Sequence, residues 1–434
     1  MQKSLLILFG LLVISGLHSQ ELKRRANWDA QISWPNAIAP GAIIQSIVKD
    51  SPMHKAGLKA GDRIIEVSGR KILDQEDWGH IDYAIMANEE TQITVVRNRR
   101  KITFSVVFRP LDKESHGNIT TYYESVTSEY GLTQRTIITT PDPGKKLPAI
   151  FLIQGLSCST IEQYSGRSNN WVTLINDLAE KSGMVLMRVD KPGVGDSEGD
   201  CGKTDFKTEL SGYEAAMESL KSKPYVDTTK IIVYGNSMGS ALAPYFANKY
   251  NLAGSISDGT FFKSWYEHML EIERRILAIE GNSEAEIHTK MNNYFIPLYH
   301  GMLVEKKSFE NIIDEQPLLS QYHRQGLNHM YGRSMEYYHQ IQDFNFAQEW
   351  EKITVPVRIR WGTNDWIMSE FDNDMIIDVL DRVGHKDHLL FKYPKMDHWS
   401  TIHPSYKESY NSEPGKWEDK ISQQIIDWAK GMIK

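Results

Sequence analysis

The sequence predicts an α/β chain: a parallel sheet flanked by helices, interrupted by a helical insertion and preceded by a small β-rich unit. Three observations predict it. From Ala149 onward, short apolar runs alternate with helix-period stretches, the pattern of a parallel sheet with crossover helices. One such run, residues 230–234, leads straight into Gly235-Asn236-Ser237-Met238-Gly239 and out into a small-residue helix start at 240–244. Residues 27–110, by contrast, read as short strands parted by turns and two short helices.

At 434 residues the chain is too long for one ordinary domain and accommodates two. With 41% hydrophobic and 24% charged residues it can bury a sizeable core. A formal net charge of -7 argues against nucleic acid as a partner, because binding a phosphate backbone needs a basic surface. The clusters Lys23-Arg24-Arg25 and Arg97-Asn98-Arg99-Arg100-Lys101 read as solvated loop faces.

Residues 1–20 read as a signal peptide: Lys3 is a short positive start, and 5–14 is an apolar run too short to span a bilayer. Ser15, Gly16 and Ser19 are the small residues of a cleavage site before Gln20 or Glu21. Leu17 fits that site poorly, which leaves an uncleaved anchor as the alternative. No later apolar run is long enough for a membrane helix. The expectation is an exported protein, periplasmic or secreted, with no integral membrane segment after signal removal. The cysteines, Cys158 and Cys201, are an even count, which an oxidising compartment permits to pair. Two separate buried thiols are the alternative.

In the first unit, 41–48 reads as a strand. Ser51-Pro52 opens a short helix, with Pro at its first turn, and Gly57 closes it. Gly61-Asp62 turns into a strand at 64–67 and Ser68-Gly69 turns out of it. Residues 77–87 read as a helix, and 91–97 with 101–108 as a hairpin around Asn98-Arg99. The spacing S-P-x-x-x-A-G-L-x-x-G-D-x-I-x-x-V-x-G over 51–69 closely resembles a PDZ domain of the bacterial type. That resemblance implies binding of an extended peptide along a sheet edge. The stretch Trp28-Asp29-Ala30-Gln31-Ile32 stands where the family carries a glycine-rich carboxylate-binding loop, and it has no glycine. A PDZ-shaped spacer that orients the rest of the chain is the alternative.

Residues 111–118 form a polar linker. A hairpin at 119–127 and 133–139 follows, then a turn at Pro141-Asp142-Pro143-Gly144. Strands are expected at 149–153, 184–189, 230–234, 253–257, 355–361 and 389–393, with helices at 170–181, 206–222 and 417–432. Residues 261–350 break the alternation and read as a helical cap lying over the sheet.

Gly235-Asn236-Ser237-Met238-Gly239 is a G-x-S-x-G elbow, which exposes a serine hydroxyl at the top of a sheet. A serine needs a base to take its proton, and the base needs an orienting acid. Asp365 lies just past a strand and is the expected acid. Asp372 and Asp374 are rivals on a helix-like stretch. His398 lies just past the last strand and is the expected base, with His403 as rival. The backbone N–H groups of Met238 and Leu156 are the expected oxyanion donors. None of the 14 histidines shows metal-ligand spacing, so no metal is expected, and acyl transfer through a serine needs no cofactor.

Together, Gln154-Gly155-Leu156, Asp190-Lys191-Pro192-Gly193-Val194-Gly195-Asp196-Ser197, the elbow, Asp365 and His398 resemble the α/β-hydrolase superfamily over residues 119–434. Carboxylesterases, thioesterases and prolyl-oligopeptidase-like enzymes are similar. Many members carry His where this chain has Gln154, and Arg where it has Lys191. The resemblance implies a mostly parallel eight-stranded sheet. It also places Cys158 and Cys201 in the loops after neighbouring strands, where a disulfide would close a loop of about 44 residues. The expected function is an exported serine hydrolase cleaving a small carboxylic ester through an acyl-enzyme. The alternatives are a peptidase to which the PDZ unit presents peptide ends, and a non-catalytic peptide-binding protein. No nucleic-acid partner is expected.

Overall fold

The computed structural model describes residues 22–34, 40–73, 75–163, 169–324 and 329–434. The segment read as a signal peptide lies outside them.

The larger unit is built on an eight-stranded sheet: β1 (Thr120–Thr127), β2 (Thr133–Thr140), β3 (Leu147–Ile153), β4 (Val185–Val189), β5 (Val226–Asn236), β6 (Gly254–Asp258), β7 (Val357–Gly362) and β8 (His388–Tyr393). Their order across the sheet is β1-β2-β4-β3-β5-β6-β7-β8. β2 pairs antiparallel with both its neighbours, and every other pairing is parallel. The α/β class read from the sequence stands.

Both faces of this sheet are covered, which is why its central strands are apolar throughout. On β3, Ala149, Phe151 and Ile153 join the core under helices Phe206–Lys221 and Met238–Tyr250. Ile150 and Leu152 point the other way, against helices Asn170–Lys181 and Lys420–Met432.

The insertion between β6 and β7 carries helices Trp265–Ile279, Glu284–Lys290, Phe309–Glu315, Met335–Gln342 and Phe346–Lys352. Two open on capping boxes, Ser264 with Glu267 and Ser283 with Glu286. It is not helical throughout, as the sequence was read. His329–Met330 pairs antiparallel with Arg333–Ser334. The tight turn between them has positive φ at both central residues, 48° at Tyr331 and 71° at Gly332.

The smaller unit is an antiparallel sheet ordered Ala30–Ser33, Ala42–Ile47, Arg63–Val67, Glu90–Arg97 and Arg100–Val107, with Arg70–Lys71 off to one side. Ile44, Met53, Ile64, Val67, Ile93 and Val95 form its core. The short helix Pro52–Ala56 has Ser51 as cap and ends at Gly57, whose φ is 97°. The helix expected at 77–87 is Gln75–Ala84. Asn98 and Arg99 turn the last hairpin with φ of 50° and 62°. Among the described residues Ala30–Ser33 is an edge strand, paired on one side only.

The reading of Lys23-Arg24-Arg25 as a solvated face holds for Lys23 and is overturned for Arg24 and Arg25. Arg24 and Arg25 sit where the two units meet. The Arg24 guanidinium donates to Asp196 at 2.9 Å and to Glu162 at 3.0 Å. Asp196 also accepts from Arg25 N–H at 3.0 Å and from Arg135 at 3.1 Å. Nothing near Arg24 in the chain signals this, because the acids lie 138 and 172 residues away from it.

Candidate active site

Ser237 stands between β5 and helix Met238–Tyr250 with φ 55° and ψ -124°, a strained conformation that a non-glycine residue holds only when its surroundings enforce it. The enforcement is close packing. A Cβ on Gly235 would stand 2.1 Å from the Gly239 carbonyl oxygen, and one on Gly239 would stand 2.1 Å from that of Ile153. The two glycines therefore let the turn be sharp and seat it directly on β3.

Asp365 follows β7 and His398 follows β8, so neighbouring strand ends deliver both to the serine. Ser237 Oγ lies 2.9 Å from His398 Nε2, and His398 Nδ1 lies 2.8 Å from Asp365 Oδ2. The other Asp365 oxygen accepts from the amides of Ile367 at 2.9 Å and Met368 at 2.8 Å, which fixes the carboxylate's rotation. Burial disfavours the charged imidazolium, but Asp365, by charge and hydrogen bond, and then Asp397 and Asp258 by charge outweigh it. The His398 pKa is raised.

The rivals are occupied elsewhere. Asp374 pairs with Lys392 at 2.7 Å. Asp372 is buried near Lys263, 3.7 Å away, and burial raises its carboxyl to about 7. His403 pairs with Asp397 at 3.1 Å, and Asp397 in turn accepts from the amides of Trp399 and Thr401. That pair braces the loop carrying His398.

The loop after β3 lies against the serine: a Cβ on Gly155 would come within 2.9 Å of Ser237 Cβ. Leu156 and Met238 both line the cavity at Ser237. Met238 is the first residue of its helix, so its N–H has no acceptor within that helix. Cys158 and Cys201 are joined in a disulfide that ties this loop to the one after β4.

Beneath the loop lie groups that sequence reasoning did not assign. Lys191 is fully buried and donates to the carbonyls of Gly155 and, at 2.9 Å, Ser157. Burial pulls its ammonium down to about 7, against Glu209, which holds it up. Lys191 was visible within the Asp190–Ser197 motif, but nothing in the sequence tied it to Gly155. Arg333, from the insertion, donates to the Leu156 carbonyl at 3.2 Å and had no signal at all.

The cavity measures about 620 Å³. Trp171, Phe261, Trp265, Trp366, Met368 and Trp399 give it an apolar wall, and His268 lines it while stacked on Phe261 at 4.5 Å. Among the described residues no carboxylate, lysine or arginine lines it. Also among the described residues, no cluster of His, Cys, Asp or Glu could hold a metal ion, and no helix is long and apolar enough to cross a membrane.

Residues 16–107 match the PDZ domain model. Among curated relatives, a probable periplasmic serine endoprotease DegP-like of Marinomonas sp. (strain MWYL1) is 38% identical over 74 residues, 17% of this chain and 16% of the relative. Its counterpart from Brucella suis biovar 1 is 27% identical over 188 residues, 42% of this chain and 32% of the relative. The chain thus spans at most about a third of the length of these relatives. Among solved structures, a Pyrococcus furiosus esterase is 14% identical, with a TM-score of 0.43 over 73% of this chain and 92% of its own. Acetyl xylan esterase 1 from Thermoanaerobacterium sp. is also 14% identical, with a TM-score of 0.43 over 75% of this chain and 87% of its own. Residues 161–402, more than half of the chain, match the model described as serine aminopeptidase, S33, and they include the elbow, the insertion and the loops of Asp365 and His398. With a PDZ domain ahead of it, this α/β hydrolase belongs to the serine aminopeptidase S33 family.

Proposed function

We propose that the protein is an exported serine hydrolase that cleaves small, uncharged carboxylic esters. The observation that carries this reading is the unbroken line from Asp365 through His398 to Ser237, with both hydrogen bonds under 3 Å, opening on an apolar cavity. Ser237 Oγ attacks the ester carbonyl carbon while His398 Nε2 takes its proton. The tetrahedral oxyanion sits against the N–H groups of Leu156 and Met238. The C–O bond then breaks, and the alcohol leaves with the proton from His398. Water, deprotonated by His398, attacks the acyl carbon, the bond to Ser237 Oγ breaks, and His398 returns the proton to that oxygen as the acid leaves.

The family description favours a second reading, an aminopeptidase, and the DegP-like relatives a peptidase in general. Holding a free amino terminus in an apolar cavity calls for a carboxylate, and the described lining has none. An ester presents no such charge. In either reading the edge strand Ala30–Ser33 is where the PDZ domain would take an extended peptide. Export is supported by the periplasmic relatives and by the disulfide, which persists in an oxidising compartment.

A panel of p-nitrophenyl esters run beside peptides with free and blocked amino termini, with Ser237→Ala as control, tests the reading. Ester turnover lost in the variant is the expected result. Serine-dependent release of amino-terminal residues without ester turnover would replace it with the second reading.

A further inference from the structure

Three consecutive carbonyls of the loop beside Ser237 point at two buried cations. Lys191 Nζ takes those of Gly155 and Ser157, and Arg333 Nη1 takes that of Leu156 at 3.2 Å. Both side chains are fully buried. Glu209 lies between them, 2.5 Å from Arg333 and 3.9 Å from Lys191. Arg333 also stacks on Tyr337, 3.9 Å from the ring centre. Lys191 comes from the loop after β4. Arg333 comes from the two-residue hairpin in the cap, 177 residues beyond Leu156.

The geometry has a consequence for the opposite side of the loop. No peptide bond among the described residues is cis, and across a trans peptide the C=O and the next N–H point in opposite directions. A carbonyl of Gly155 drawn inward by Lys191 turns the Leu156 N–H outward, on the side where Leu156 meets the cavity. Among the described residues that N–H has no acceptor of its own. The Arg333 bond to the Leu156 carbonyl fixes the next peptide plane and keeps the loop from rolling.

We infer that Arg333, coupled through Glu209 to Lys191, is a positioning residue for the oxyanion hole, so that the cap helps to set the direction of the Leu156 N–H. This rests on the ester-hydrolase reading above. Removing one oxyanion donor costs on the order of 10²–10³ in kcat, because the donor acts where charge develops and not on the ground state.

Arg333→Met alone strands Glu209 in the interior, so the test uses Arg333→Met with Glu209→Gln, which removes both charges. A second variant, Arg333→Lys, keeps a cation beside Glu209 but gives up the guanidinium fork that spans Glu209 and Leu156. Thermal melts establish folding, and each variant is compared with wild type for kcat, KM and inhibition by an aryl trifluoromethyl ketone, which forms a tetrahedral oxyanion on a serine. The expected result is a kcat at least about 30-fold lower in the folded double variant, with KM changed less than about threefold. Inhibition should weaken in proportion to kcat/KM, and Arg333→Lys should move the same way. Wild-type kcat in either folded variant overturns the proposal, and so does a lower kcat with undiminished ketone affinity. Wild-type turnover that survives Ser237→Ala, or no turnover at all, overturns the ester reading and this proposal together.

Discussion

Asp365 holds His398 from one side while two backbone amides hold Asp365. Its Oδ2 lies 2.8 Å from the imidazole Nδ1, and its Oδ1 accepts from Ile367 and Met368. The carboxylate therefore fixes which imidazole nitrogen carries the proton and leaves Nε2 free to accept from Ser237. In Asp365→Asn the amide can donate where the carboxylate only accepted, which reverses the tautomer. On the ester-hydrolase reading, kcat falls by about 10⁴-fold while the thermal midpoint changes little. Ester kinetics and a melting curve on the same preparation check both halves.

The pH profile follows from the same pair. On the proposed mechanism His398 must be neutral to accept the serine proton. Burial pulls its pKa down, but Asp365 leads the groups that push it up, and the net direction is upward. Activity is therefore lost as pH falls through a value above the ordinary imidazole figure of about 6.5. The acidic limb of kcat/KM in wild type should lie above that figure. In Asp365→Asn the main opposing charge is gone and burial remains, so the residual activity should carry its limb to lower pH. A limb that stays in place would mean that another group controls it.

The parts legible in the sequence were those in which a short run of the chain carries its own signature. The elbow is one: Gly235 is required by the turn itself, through the Gly239 carbonyl, and Gly239, which meets the distant Ile153, falls within the same five-residue pattern. The hairpin at Asn98-Arg99 and the cap at Ser51 are others. The parts that escaped depend on partners far along the chain. Arg24 looks like an ordinary basic loop residue until Asp196 is folded against it. Arg333 looks like any polar cap residue until Leu156 and Glu209 surround it. The hairpin that delivers Arg333 was hidden too, since a tyrosine at positive φ is a poor turn signal.

The Cys158–Cys201 bridge spans 43 residues and pins the loop that carries Leu156. Cross-linking a stretch of that length stabilises the fold by about 4 kcal/mol in the chain-entropy model. Cys158→Ser with Cys201→Ser should lower the denaturant midpoint accordingly, with little change in slope. Because the bridge also braces the loop beside Ser237, ester kcat should fall further than the loss of folded protein explains. Reduction of the wild type with dithiothreitol should reproduce both effects.

Arg24 joins the two units at a single guanidinium. It donates to Asp196 and Glu162 on the hydrolase side, and to the carbonyls of Leu111 and Asp112, at 2.9 and 3.0 Å, just past the short strand Arg109–Pro110. Burial disfavours its charge, but Glu162 and then Asp196 outweigh that and raise its pKa, so it stays protonated throughout the accessible pH range. Arg24→Ala leaves two buried carboxylates short of a partner and frees the carbonyls of Leu111 and Asp112. Breaking a buried pair from one side costs about 3 kcal/mol. Asp196 keeps Arg135 at 3.1 Å, so the hydrolase core should hold while the junction loosens. The expected signature is faster proteolytic cleavage within residues 111–118 and a lower first transition in calorimetry. Lys23→Ala removes an exposed neighbouring charge and should change neither. Equal cleavage rates for wild type and Arg24→Ala would mean that the two units are held together by other contacts.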